Sequence, residues 1–207
     1  MQLNTAQADG LTAGTLKILA TPTGGQFSQS SSAVYQSKSI DFERDDDATF
    51  HLSQPTKWKP LLQKGSSVSM RGRLIGGCLD TIGHLFGSCY FDIERFSGRY
   101  PEQGTILYFE NAELSPPALI RVLLSMRFKG VFDNLAGLLI GRSSAECVDS
   151  SGLSYQEALI SVLGGYDFPI IYDLDIGHQP PNLTLVNGAF ASVTLDHKIA
   201  TITQSFI

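Results

Sequence analysis

The chain is 207 residues long, 43% hydrophobic and 17% charged, with a net charge of −5 at pH 7. This composition belongs to a folded globular protein of one good-sized domain or two small ones, and it excludes a disordered chain. The acidic balance and the lack of a basic patch argue against a nucleic-acid partner, and no apolar run is long enough to span a bilayer.

In chain order, Met1-Gln2-Leu3-Asn4-Thr5 lacks the charged and apolar regions of a secretion signal, so a cytoplasmic location is expected. Residues 21–39 are rich in Gly, Ser, Thr and Gln and carry little hydrophobic periodicity. The acidic run Asp41-Phe42-Glu43-Arg44-Asp45-Asp46-Asp47 follows and reads as a solvated loop or face. It is a poor metal site, because neighbouring side chains on a strand point to opposite faces.

From about residue 66 the pattern becomes regular. Val68, Met70 and Leu74 alternate with polar residues as in a strand, which Gly76-Gly77 is expected to break. Leu79, Ile82, Leu85 and Phe86 have helical spacing, residues 87–104 read as a loop, and Thr105–Phe109 reads as a buried strand. Ser115 is a natural N-cap, with Pro116 at the first helical position. Leu119, Ile120, Leu123, Leu124 and Phe128 predict one apolar face, and Gly130 ends the helix. A short strand at 135–140 is closed by Gly141. Ser154 and Glu157 predict a capping box for a second helix, ended by Gly164-Gly165, and a strand follows at 168–173. The tail reads as strands at 189–195 and 199–204 joined at Asp196-His197-Lys198. Together these predict a mixed α/β domain with flanking helices and an antiparallel hairpin.

Two residues stand out for chemistry. Glu110 and His178 each lie just past the end of an apolar, strand-like run, and reactive groups in open α/β sheets collect where strands end. A carboxylate and an imidazole so placed supply two thirds of a nucleophile–base–orienter triad. Taken singly, Glu110 also fits a surface or capping carboxylate, and His178 a hydrogen-bonded structural histidine. His51 has no supporting context, His84 reads as packed or partly buried, and His197 as solvated in its turn. No Gly-x-Ser-x-Gly occurs. Ser154 is better explained as an N-cap, and Ser88 has no context that favours a nucleophile. The three cysteines, Cys78, Cys89 and Cys147, argue by odd count and irregular spacing against a disulfide framework or structural zinc, and read as reduced. Cys78, after Gly76-Gly77, is the one thiol with a reactive alternative.

Several stretches are shared, in order and spacing, with a known family: Gly72 to Leu79, Gly104 to Glu110, Arg121 to Gly141 and Asp175-Ile176-Gly177-His178. From about residue 57 onward the chain resembles the C-terminal part of the LD-carboxypeptidase and microcin C self-immunity serine peptidases, and Gly130-Val131-Phe132-Asp133 is nearest the immunity branch. The resemblance implies a swivelling β/β/α-type domain over 57–207, with 1–56 an irregular N-terminal segment or inter-domain junction. It implies a Ser-Glu-His triad in which Glu110 and His178 are catalytic and the serine comes from an N-terminal nucleophile domain missing here. It implies peptide or aminoacyl-nucleotide amide substrates, cleaved beside a free carboxylate, with no metal or organic cofactor. Gly76 and Gly77 are implied to lie in the substrate site. Trp58 is implied either to stack on a nucleobase there or, equally, to clamp a loop onto the domain. Family members are often dimers, although no surface patch in this sequence argues for one.

Two positions depart from the family pattern: Cys78 stands where Asn is usual after Gly-Gly, and Asn111 where Asp usually follows the glutamate. These departures bear on substrate choice more than on the triad; it is for want of a serine on a nucleophile elbow that the chain alone is expected to lack peptidase activity. The competing readings are a non-catalytic binding module with a degenerate peptidase fold, and a hydrolase that uses Cys78 as its nucleophile.

Overall fold

Six consecutive residues, Thr105 to Glu110, are all buried, and the domain is layered around the strand they form. The computed structural model describes residues 10–38, 49–62, 67–145, 147–196 and 199–206. In chain order these fold into α1 (Gly10–Leu19), β1 (Gln26–Ser30), β2 (Val34–Tyr35), β3 (Gln54–Pro55), β4 (Lys59–Pro60), β5 (Ser67–Cys78), α2 (Leu79–Ile82) and α3 (Ile93–Gly98). Then come β6 (Thr105–Glu110), α4 (Pro116–Phe128), β7 (Gly137–Gly141), α5 (Tyr155–Leu163), β8 (Ile170–Leu174), β9 (Phe190–Asp196) and β10 (Ile199–Ser205). Among the described residues, eight strands make one sheet in the order β1-β10-β9-β5-β6-β7-β8-β4, and β2 pairs with β3 apart from it. β5 to β8 are parallel, while β9, β10 and β1 extend the sheet antiparallel on one side and β4 caps β8 antiparallel on the other. This is the mixed α/β architecture with flanking helices that the periodicities predict.

Strand alternation sends β6 side chains into two cores. Leu107 and Phe109 pack with α4 and α5, whereas Ile106 and Tyr108 pack with Trp58, Leu74 and Val193. Helix α4 turns Leu119, Leu123 and Met126 inward, but Phe128, predicted on the same face, is 83% exposed at the helix end. The Ser154–Glu157 capping box forms as expected: Glu157 N–H donates to Ser154 Oγ at 3.2 Å, and Ser154 N–H to Glu157 Oε2 at 2.9 Å.

The structure departs from the sequence reading in four places. The stretch 1–56 is not irregular throughout, since it carries α1 and β1, and β1 pairs with β10 from Gln26↔Ser205 to Ser30↔Thr201. The contacts there are polar (Ser28 with Thr203, Ser30 with Thr201), so no hydrophobic period marks them. Gly76-Gly77 does not end the strand, because β5 runs on to Cys78 and pairs with β6 as far as Glu110. A Cβ on Gly76 would stand 1.8 Å from the Tyr108 carbonyl oxygen, so glycine marks a close backbone approach rather than a break. Only Leu79–Ile82 of the 79–86 segment is helical, which leaves His84 exposed rather than packed. The 87–104 loop contains α3, whose N-cap Asp92 accepts from Arg95 N–H at 2.9 Å. The acidic run 41–47 and His197 lie outside the described residues.

No helix among the described residues is long and apolar enough to cross a membrane. Two glycine replacements test the packing. Gly76→Ala is expected to cost at least about 3 kcal/mol, because its methyl meets backbone that cannot move aside. Gly98→Ala, with nothing within 4 Å of its Cβ, is expected to be neutral or to stabilise by up to about 1 kcal/mol. Thermal unfolding of the two variants checks the contrast.

Candidate active site

Four parallel strands end at one edge of the sheet, and their last residues build the site. Cys78 of β5 lies in register with Glu110 of β6, and Gly141 of β7 and Leu174 of β8 end at the same edge. An unpaired charge is costly inside strands buried on both faces, so polar chemistry gathers where those strands stop. Glu110 is the last residue of β6 itself, and only 4% of it is exposed.

The chain after β8 turns back over Glu110. Asp173 takes a φ of 62° and Gly177 a φ of 117°. A Cβ on Gly177 would stand 2.7 Å from Glu110 Oε2, and one on Gly141 would stand 2.3 Å from the Ile176 carbonyl oxygen and 2.8 Å from Glu110 Cβ. Side chains at either glycine would push the loop off the carboxylate. With neither present, His178 Nδ1 reaches 3.1 Å from Glu110 Oε1 and 3.2 Å from Oε2. The carboxylate is 5% exposed and the imidazole 57%, so an acid sunk in the protein holds a ring that faces solvent. An Nδ1–H donated to that carboxylate leaves Nε2 free to take a proton. The two residues singled out from the sequence thus converge.

The loop that carries His178 hangs on a buried ion pair. Asp175 is fully buried and accepts from Ser32 N–H at 3.1 Å, Trp58 Nε1–H at 2.8 Å, Arg142 at 2.8 Å and the Ser32 hydroxyl. Arg142, 4% exposed, also donates to the Gln179 and Pro181 carbonyls at 2.9 and 3.0 Å, and its guanidinium lies 4.5 Å from the centre of the Tyr35 ring. On the other side of Glu110, the Asp80 carboxylate accepts from Ala112 and Glu113 N–H at 2.9 and 3.0 Å and so fixes the exit from β6. Asn111 is fully buried. Its amide donates to the Leu114 carbonyl at 2.8 Å and to Ser143 Oγ at 3.1 Å, and its Oδ1 accepts from Leu114 N–H at 3.0 Å. A carboxylate could not make those two donations.

The other sequence candidates fare differently. Trp58 is 3% exposed, with its ring in the core and its N–H on Asp175, so it clamps its segment onto the domain and offers no face for a base to stack on. Gly76 is buried, and both of its backbone groups go to the Asn187 side chain, at 3.0 and 3.2 Å, so they are not free to hold a substrate. Gly77 remains partly open beside Cys78. The Ser154 hydroxyl is engaged with Glu157 and the Ser88 hydroxyl with the Leu85 carbonyl. Among the described residues the His178 ring is hydrogen-bonded to Glu110 alone. Burial, then the Glu110 carboxylate beside it, pushes the Cys78 thiol up to about 11, so this cysteine is a poor nucleophile. Asp175, Arg142, Asp80 and Asn187 were not assigned roles from the sequence. Arg142 had the same cue as Glu110, a charge directly after a buried strand run.

At the carboxyl edge of its sheet, this mixed α/β domain thus holds a buried carboxylate against an open imidazole. The chain belongs to the family of LD-carboxypeptidase C-terminal domains, whose model matches residues 71–193. It is 29% identical over 144 residues to the microcin C7 self-immunity protein MccF of Escherichia coli, a match that covers 68% of this chain and 39% of that protein. The chain therefore spans about two fifths of the length of that curated relative. Its fold is similar to that of MccF in complex with aspartyl sulfamoyl adenosine, with a TM-score of 0.75 at 24% identity over 97% of this chain and 58% of the other. An MccF-like protein from Streptococcus pneumoniae in complex with AMP gives a TM-score of 0.61 at 23% identity, covering 86% and 53% of the two chains.

The Cys78 environment has a direct consequence for reactivity. In a Cys89→Ser, Cys147→Ser background, Cys78 is expected to alkylate about 100-fold more slowly at pH 7.5 than a thiol titrating at its ordinary 9.0, because two units of upward shift cut the thiolate fraction by that factor. The rate should climb until the pH approaches 11, and Glu110→Gln should speed it at neutral pH. Iodoacetamide kinetics across pH check both statements.

Proposed function

We propose that this chain is the acid–imidazole half of a serine carboxypeptidase, with His178 as general base and Glu110 as the group that orients it. The observation that carries the reading is the contact of His178 Nδ1 with both Glu110 oxygens, at 3.1 and 3.2 Å, at the sheet edge. In this reading a serine hydroxyl, supplied by an N-terminal nucleophile domain of the same protein, gives its proton to His178 Nε2 as its oxygen attacks the scissile amide carbon. His178 then returns that proton to the leaving amine, while Glu110 stabilises the imidazolium between the two steps. Water repeats the cycle on the acyl-enzyme. The substrate is an amide beside a free carboxylate, either an L,D-muropeptide or an aminoacyl-nucleotide amide of the microcin C type. No cofactor takes part, and the three free cysteines suit a reducing, cytoplasmic setting.

Retention of the acid–imidazole contact supports this reading over a degenerate binding module. Asn111 is no sign of decay either, because its side chain bonds Leu114 twice to shape the loop after Glu110 and ties that loop to Ser143 Oγ beyond β7.

The test joins the chain to its nucleophile domain and assays both substrate classes. His178→Ala is expected to lower kcat about 10,000-fold or more and Glu110→Gln by a smaller factor, each with little change in KM. The 207-residue chain alone is expected to release no product. Unchanged turnover in His178→Ala would refute the assignment.

A further inference from the structure

We propose that Arg142 and Asp175 are positioning residues that hold His178 in the tautomer and orientation its role as general base requires. The proposal rests on the reading of His178 given above. His178 sits on a stretch without regular secondary structure, 57% exposed, next to a glycine at φ 117°. Nothing in that local backbone fixes the ring. The fixing comes from both sides of it in sequence. Three residues before His178, Asp175 is tied to Arg142, Trp58 and Ser32. One and three residues after it, the Gln179 and Pro181 carbonyls are tied to the same guanidinium. One planar side chain thus spans the whole turn over Glu110. A lysine, with a single nitrogen, cannot reach all three acceptors in that geometry.

Stability alone does not account for the pair. Burying two charges costs about as much desolvation as their attraction returns, and the Arg142 Nε–H is left buried without a partner. What the arrangement does achieve is to restrict the loop to one conformation. Gln36 N–H on the Pro180 carbonyl, at 2.9 Å, adds a further tie from the segment that carries Tyr35. The consequence at the ring is an Nδ1–H turned to Glu110, with Nε2 free.

The experiment reads the imidazole nitrogens of His178 by ¹⁵N spectroscopy in the 207-residue chain, at a pH where histidine is neutral, with the signal assigned by His178→Gln. The wild type is expected to hold His178 mainly as the Nδ1–H tautomer. Arg142→Lys, and the double variant Arg142→Met with Asp175→Asn, are expected to release it to the mixture of an unconstrained histidine, in which Nε2–H dominates. The double variant removes both charges together, so it strands neither in the core, and its amide spectrum away from residues 175–183 reports that the fold is kept. An Nδ1–H population unchanged in either folded variant overturns the proposal while leaving the site intact. If Glu110→Gln also leaves the tautomer unchanged, the acid–imidazole assignment itself fails.

Discussion

A carboxylate cut off from water persists only where its oxygens are met by donors, and Asp175 meets that condition by gathering distant parts of the chain. Ser32 reaches it from the N-terminal segment, Trp58 from just before β4 and Arg142 from just after β7, while Asp175 itself follows β8. The requirement to satisfy one buried charge therefore determines where the N-terminal strap lies, where Trp58 goes and how the loop after β8 is folded. That loop delivers His178 to Glu110.

The site is equally a product of what is missing. Gly141 and Gly177 leave space that any Cβ would fill, and the loop lies on the carboxylate only because that space is empty. Gly76 does the same one strand over, where β6 comes so close that a methyl would sit inside the Tyr108 carbonyl. These glycines serve as clearances. At Gly76 the backbone groups are taken by the Asn187 side chain.

What could be read in advance divides along physical lines. The strand at 105–110, helices α4 and α5 and the final hairpin carry strong periodicity or local capping, and both are properties of neighbouring residues. Glu110 and His178 stood out because charge follows an apolar run at each. The N-terminal helix and edge strand did not, because β1 is held by Ser, Thr and Gln pairs that resemble loop composition. Trp58 was ambiguous for another reason: whether an indole faces a ligand or a core depends on its partner 117 residues away, which no local pattern encodes. Asp175 lay within a recognised stretch, yet its role as an anchor depends on Arg142, 33 residues earlier.

The outermost pairing of the sheet joins residues 26–30 to 201–205. Few contacts within this domain span more of the chain, and closing so long a loop carries a large entropic cost before any bond is gained. β1 therefore pairs with a strand that is itself held by β9, which in turn pairs with β5, so its template is made of the last strands of the chain. During synthesis β1 would thus wait for β10, with the polar Gln and Ser side chains of β1 keeping the waiting strand from sticking elsewhere.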